Sequence, residues 1–319
     1  MNRRQAIGLG GALGGVGLLG WLNLRRNRLW EWRGTVMGTE GSVLFHSRSE
    51  KDARFVMNAV NQEAARLEAV FSLENASSTI RHLNQNGQLK NPPFEFVEAL
   101  KLCGEVHEMT DGAFDPTVQP LWEVYDAHFG NRQGESEPPP PNLVDEALAK
   151  VDFRAVEFSD DSVSFTKSGM SLTLNGMAQG FISEKIARFI LGLGVTHALV
   201  NLGEYCALGP PRGNDGWKVA IESSRTSEEF FDTLSLVYGG LATSGGYGYR
   251  FDQSGKFHHL FNPRGEAPPN VNRVVVVEAP DAGLADALST AGAVMSWKRF
   301  RRLQLPMLGL RFHEYGCEP

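Results

Sequence analysis

Four consecutive valines, Val274 to Val277, place the tightest constraint on this 319-residue chain. A strand with one wet face alternates apolar with polar residues, because successive side chains point to opposite faces. A run that is apolar at every position needs cover on both sides, so these residues predict a strand in a sheet buried on both faces. The segment that follows, Ala285-Asp286-Ala287-Leu288-Ser289-Thr290-Ala291, is apolar apart from three oxygen-bearing side chains. As a helix it sets Asp286 and Thr290 on one face, one turn apart. Hard oxygen donors at that spacing suit magnesium, which takes one or two carboxylates and completes its shell with water and substrate phosphate. Taken alone, the same pair also describes a solvated helix face, and the rest of the chain has to decide between the two.

Helical spacing recurs from Ser49 to Phe71, with Val56, Val60, Ala64, Leu67 and Phe71 on one face, and from Phe94 to Met109, closed by Thr110-Asp111-Gly112. These two helices are expected to pack as a pair. The segment 131–142 contains Pro138 to Pro141 and reads as a stiff connection or lid, not regular structure. Val156 and Phe158 alternate on one side of Asp160-Asp161, and Val163 and Phe165 on the other, as in a hairpin. A helix is expected from about Ala178 to Leu193. Strands are expected on both sides of Asn201-Leu202-Gly203, at Trp217 to Ile221, at Leu234 to Tyr238, and as a closing strand through Leu308, Leu310 and Phe312. Strands and helices without a strict βαβ rhythm predict an α+β class, with mixed, largely antiparallel sheets and packed helices.

A net charge of -6 and the lack of a basic stripe exclude a nucleic-acid footprint and point to small molecules or proteins as partners. Cys103, Cys206 and Cys317 have neither C-x-x-C spacing nor a neighbouring histidine run, and read as inert thiols. Residues 1–28 differ in kind. Arg3-Arg4 precedes an apolar, Gly-rich stretch that runs to Leu24, with Arg25, Arg26 and Arg28 after it. This is the pattern of an export signal with a paired-arginine start, either cleaved or kept as an inner-membrane anchor through residues 6–24. It implies an exported, periplasmic protein, with residues 29–319 forming a single domain.

Seven pieces follow one another in a specific order. They are Val36-Met37-Gly38-Thr39, Gly112-Ala113-Phe114-Asp115-Pro116-Thr117, Asn175-Gly176-Met177-Ala178-Gln179-Gly180-Phe181, Asn201-Leu202-Gly203, Ala242-Thr243-Ser244-Gly245, His259-Leu260-Phe261-Asn262-Pro263-Arg264, and Ala285 to Thr290. Together they resemble the FAD:protein FMN transferases, the ApbE family. The resemblance implies a T-fold-like α+β architecture, FAD as substrate, and magnesium-dependent transfer of FMN to a Thr or Ser hydroxyl of an acceptor flavoprotein with release of AMP. The acceptor it implies is a subunit of a membrane electron-transfer complex.

By the same resemblance, Gly176 (through its carbonyl), Asp286 and Thr290 would hold the metal. His259 would be the general base, and an ordinary imidazole titrates close enough to neutrality for that work. Met37, Ala113, Phe114, Asp115, Thr173, Gln179, Thr243, Ser244 and Leu260 would line the FAD site, with the Asp115 carboxylate available to the cofactor and Thr243-Ser244-Gly245 as a close-approach loop. Five positions depart from the family pattern. Thr173 replaces an acidic residue, Gln179 a lysine, Glu204 a glycine, Glu74 a flavin-stacking aromatic, and Asn262 an aspartate. Losing a cation near a pyrophosphate removes favourable field. Two other outcomes stay open for the same residues: an FAD pyrophosphatase that frees FMN, and a non-catalytic flavin-binding or assembly protein.

Overall fold

The computed structural model describes residues 28–130, 137–223, 229–265, 272–303 and 309–316. Residues 1–27 of the expected export segment, together with Leu308 and Cys317, lie outside the described residues. No helix among the described residues is long and apolar enough to cross a membrane.

The described chain opens on a hairpin of β1 (Arg28–Val36) and β2 (Thr39–Ser47). Its turn holds Met37 at φ 51 and Gly38 at φ 70. A left-handed backbone is costly for a side-chain-bearing residue. Here the Met37 N–H donates to Glu68 Oε1 at 2.9 Å, which pins the turn to α1 (Glu50–Phe71). That helix starts where the sequence places it, with the Ser49 side chain accepting from the Asp52 N–H as its cap.

α2 (Thr79–Asn86) and β3 (Gln88–Lys90) follow, then α3 (Phe94–Met109) over the predicted span. The rings of Phe71 and Phe96, from α1 and α3, lie 6.3 Å apart. α4 (Gln119–Gly130) was not expected, although Trp122, Tyr125 and Phe129 fall at i, i+3 and i+7. The proline segment also needs correction, because Pro141 is the first residue of α5 (Pro141–Leu148). At a first helical position the missing N–H costs nothing and the fixed φ is already helical.

β4 (Val156–Phe158) and β5 (Ser162–Phe165) form the expected hairpin, which β3 extends to three strands. After α6 (Ala178–Gly192) come β6 (Ala198–Asn201), β7 (Tyr205–Leu208), β8 (Trp217–Glu222), β9 (Phe230–Leu236), β10 (Gly239–Gly245) and β11 (Val274–Ala279). α7 (Ala282–Val294), α8 (Trp297–Phe300) and β12 (Arg311–Tyr315) complete the described order.

The principal sheet runs β1-β2-β6-β7-β10-β11-β12, and every pairing among the described strands is antiparallel. The valine run accounts for its layers. Val275 and Val277 pack into the main core with the helices, whereas Val274 and Val276 join Leu44, Leu199 and Leu241 under Trp217, Val219 and Ile221 of β8. Helices cover one face and the β8–β9 ribbon covers the other, so a strand apolar at every position is fully buried. α7 packs on β10, β11 and α6, which brings the end of the sheet and the start of α6 to one helix.

Candidate active site

α7 reads Ala-Gly-Leu-Ala-Asp-Ala-Leu-Ser-Thr-Ala-Gly-Ala-Val, and its small residues let neighbours approach closely. One such approach is at Gly180, where a Cβ would stand 2.7 Å from the Asp286 Cβ and nearer still to the Ala282 carbonyl oxygen. In that contact the Gly180 N–H, near the start of α6, donates to Asp286 Oδ2 at 2.9 Å. Asp286 is 5% exposed. Burial pushes its carboxyl pKa up to about 7, with the Gly180 hydrogen bond opposing that rise. A buried carboxylate in an otherwise apolar helix is costly, so the structure keeps it at the expense of stability.

One turn on, the Thr290 hydroxyl donates to the Gly176 carbonyl at 3.1 Å. Ser244 Oγ lies 2.7 Å from Ser289 Oγ and 3.4 Å from Thr290 Oγ1. The sequence-predicted metal residues Gly176 and Thr290 are therefore in contact, and Asp286 lies a turn away. Among the described residues no three His, Cys, Asp or Glu side chains gather as a metal cluster. The donors on and beside α7 are a carbonyl, hydroxyls and a buried carboxylate, an all-oxygen set whose chemistry fits a hard divalent cation with open positions for water and phosphate.

Thr243 and Ser244 are not in the close-approach loop that the resemblance implied. They are in the last residues of β10, paired with Val276 and Val275 of β11. The alternation of the strand turns Ser244 toward α7, while the Thr243 N–H donates to Glu204 Oε2 at 2.9 Å. Gln179 donates from Nε2 to Thr39 Oγ1 at 2.9 Å, tying the start of α6 to the Met37-Gly38 turn. Glu74 reaches the same turn, with its carboxylate oxygens 3.5 Å from where a Gly38 Cβ would stand. Met37, Gln179 and Glu74 thus share one rim. Thr173 joins the 173–177 loop to the 113–117 loop, its N–H donating to the Pro116 carbonyl at 2.8 Å.

Phe114 is 3% exposed and its ring backs Gly176, so with half-buried Ala113 it forms a wall behind the oxygen set. Asp115 differs from the expectation that its carboxylate stands available to the cofactor. Oδ1 accepts from the Thr117 N–H at 2.8 Å and from the Thr117 hydroxyl at 2.5 Å, and Oδ2 accepts from the Phe153 N–H at 3.1 Å. His107 Nδ1 lies 3.6 Å from Oδ2. The carboxylate is committed to the loop fold. Asp115→Ala is expected to lower stability by about 3 kcal/mol, because it strands buried donors. A urea unfolding midpoint unchanged from the parent would contradict this assignment.

His259 lies on the segment that leaves β10, across from Gly248. A Cβ at Gly248 would stand 2.9 Å from its ring Cε1, so glycine there gives the imidazole room. His259 Nδ1 faces two backbone groups of Tyr249, the carbonyl at 3.1 Å and the N–H at 3.2 Å. In the tautomer that donates from Nδ1 to the carbonyl, Nε2 is the basic nitrogen. Leu260 is 6% exposed and serves as packing.

Aromatic contacts hold this segment on α4. Tyr125 lies 4.9 Å from Phe261, Phe129 5.2 Å from Phe257, and Trp122 5.8 Å from Phe251, measured between ring centroids. Arg264 donates to the Asp111 carbonyl and carboxylate, and Arg299 donates to the same carboxylate. These two guanidinium groups hold the Asp111 carboxyl below its usual range. Asn262 Oδ1 accepts from the Arg264 N–H at 2.9 Å, a local turn in place of the family's aspartate.

This arrangement can be set beside known proteins. A Treponema pallidum protein named FAD:protein FMN transferase is 28% identical over 211 residues, covering 60% of this chain and 57% of its own length. A Klebsiella pneumoniae protein of the same name is 24% identical over 250 residues, covering 76% of this chain and 74% of its own. The match thus spans less than two thirds of the treponemal relative. The crystal structure of the ApbE protein of Thermotoga maritima is 28% identical, with a TM-score of 0.77 over 89% of this chain and 93% of that one. The flavin transferase ApbE of Vibrio cholerae, 19% identical, shares the fold at a TM-score of 0.76 over 91% of this chain and 97% of that one. The ApbE family model matches residues 37–307, the span that carries every site residue described above, and the chain belongs to the ApbE family.

Proposed function

We propose that this chain transfers FMN from FAD to a Thr or Ser hydroxyl of an acceptor protein and releases AMP. The observation that carries the reading is the all-oxygen set formed by Asp286, by Thr290 and by the Gly176 carbonyl that accepts from it. Those residues would hold magnesium, which supplies charge neutralisation on pyrophosphate oxygens when bound. The acceptor hydroxyl oxygen forms a bond to the FMN phosphorus, the bond from that phosphorus to the bridging oxygen breaks, and AMP leaves with the bridging oxygen. His259 takes the hydroxyl proton at Nε2. The rim of Met37, Gln179 and Glu74 and the wall of Phe114 position the flavin nucleotide, and Ser244 supplies a hydroxyl beside Thr290.

The acceptor we infer is a flavoprotein subunit of a membrane electron-transfer complex on the periplasmic side, reached through export by residues 1–28, which are either cleaved or kept as an anchor through residues 6–24. The test is incubation of the full chain with FAD, magnesium and a Thr-containing acceptor. AMP release with a fluorescent denatured acceptor is the expected result. AMP with free FMN and an unlabelled acceptor would assign hydrolysis instead, and FAD bound without AMP release would assign a binding protein.

A further inference from the structure

The turn that carries Glu204 packs on the start of α6 at Gln179. Gly203, at φ 113, lies so close to Gln179 that a Cβ there would stand 2.7 Å from its Nε2, which clamps the turn before β7 onto the start of α6. The next residue is Glu204, where the family pattern has glycine. Its carbonyl accepts from the Ser183 hydroxyl at 2.7 Å, and its carboxylate reaches across to the Thr243 N–H of β10. Asp286 is bracketed by the same two elements. It accepts from Gly180, the residue after Gln179, and it precedes by one turn Thr290, which lies 3.4 Å from Ser244, the residue after Thr243. The two carboxylates therefore face one region between α6, α7 and the end of β10.

That region contains more negative charge than its protein surroundings offset. Glu204 is partly covered. Its carboxyl pKa is raised well above the usual range, first by burial and then by the charge of Asp286, against a single lowering contact from Thr243. No lysine, arginine or histidine among the described residues pairs with either carboxylate. Asp286 is 5% exposed, and among the described residues its carboxylate takes one hydrogen bond, from the Gly180 N–H to Oδ2. At Gln179, where the family pattern carries a lysine, a neutral amide spends its donor on Thr39. Buried like charges without a partner are expensive, and a divalent ion between them offsets both.

We propose that Glu204 is a further ligand of the divalent cation, so that this chain grips the ion with two carboxylates, Glu204 and Asp286. The proposal rests on the cation site of the proposed function.

The test measures manganese affinity of the full chain without FAD, by electron paramagnetic resonance titration, and the rise in melting temperature on adding magnesium. Glu204→Gln should weaken manganese binding by about tenfold or more and shrink the magnesium-induced rise, while melting no lower than the parent without metal. Glu204→Gly gives the same comparison by a second route. If both Glu204 variants bind manganese as the parent does while Asp286→Asn does not, this proposal falls and the cation site stands. If Asp286→Asn also binds normally, or the parent binds no manganese, both fall.

Discussion

Asp286→Asn is expected to cut AMP release from FAD by about a thousandfold while leaving the chain folded. The asparagine keeps the shape and an acceptor for the Gly180 N–H, so the contact between α6 and α7 survives. What it removes is the charge that burial makes costly in the parent. Losing a pre-organised charge aimed at a reacting phosphate typically costs two to three orders of magnitude in rate, on the order of 3–4 kcal/mol. Relief of an unpaired buried carboxylate acts on stability in the opposite direction. The expected signature is therefore lost turnover with a melting temperature equal to or above that of the parent in the absence of metal. Turnover within threefold of the parent would remove Asp286 from the site, and loss of cooperative unfolding would show that its role is to hold the fold.

Gly180→Ala is expected to destabilise the chain by about 3 kcal/mol, a large effect for one methyl group. The added carbon would stand 2.7 Å from the Asp286 Cβ and closer still to backbone at Ala282, and neither neighbour is the flexible end of a side chain. Relief requires α6 and α7 to move apart, which lengthens the hydrogen bond from the Gly180 N–H to the Asp286 carboxylate. Stability and cation binding should fall together, measured by the urea midpoint and by manganese titration of the same sample. An alanine variant with parental values for both would mean that the two helices are not held at this separation. Alanine is the better helix former, so propensity alone predicts the opposite sign.

The two outcomes separate what the residue types say from what their placement says. The valine run at Val274 to Val277 demanded cover on both faces, and the helices and the β8–β9 ribbon supply it. α1 and α3 were legible because each buries a stripe with helical spacing and ends on a recognisable cap or turn. α4 was missed because its periodic residues are aromatic rings that pack on the 246–265 segment and not on the sheet. Thr243-Ser244-Gly245 was expected as a close-approach loop but ends a glycine-rich strand, β10. Glycine at 240 is needed where α7 presses on the strand, since a Cβ there would meet Ala282.

Local pattern, through hydrophobic period, capping residues and the order of short motifs, determined the α+β class, the main helices and membership of the ApbE family. It also singled out Asp286 and Thr290, because helical geometry alone puts residues four apart on one face. Tertiary structure decided what each polar group does. It spent the carboxylate of Asp115 on its own loop and left Asp286 buried with one bond from Gly180. It also carried Glu204 from an ordinary-looking turn to a place beside Asp286. The physical reason is that burial and charge pairing depend on which distant segments meet. Residue 204 meets 183 and 243, and residue 286 meets 180, only after the sheet and its two helices have assembled.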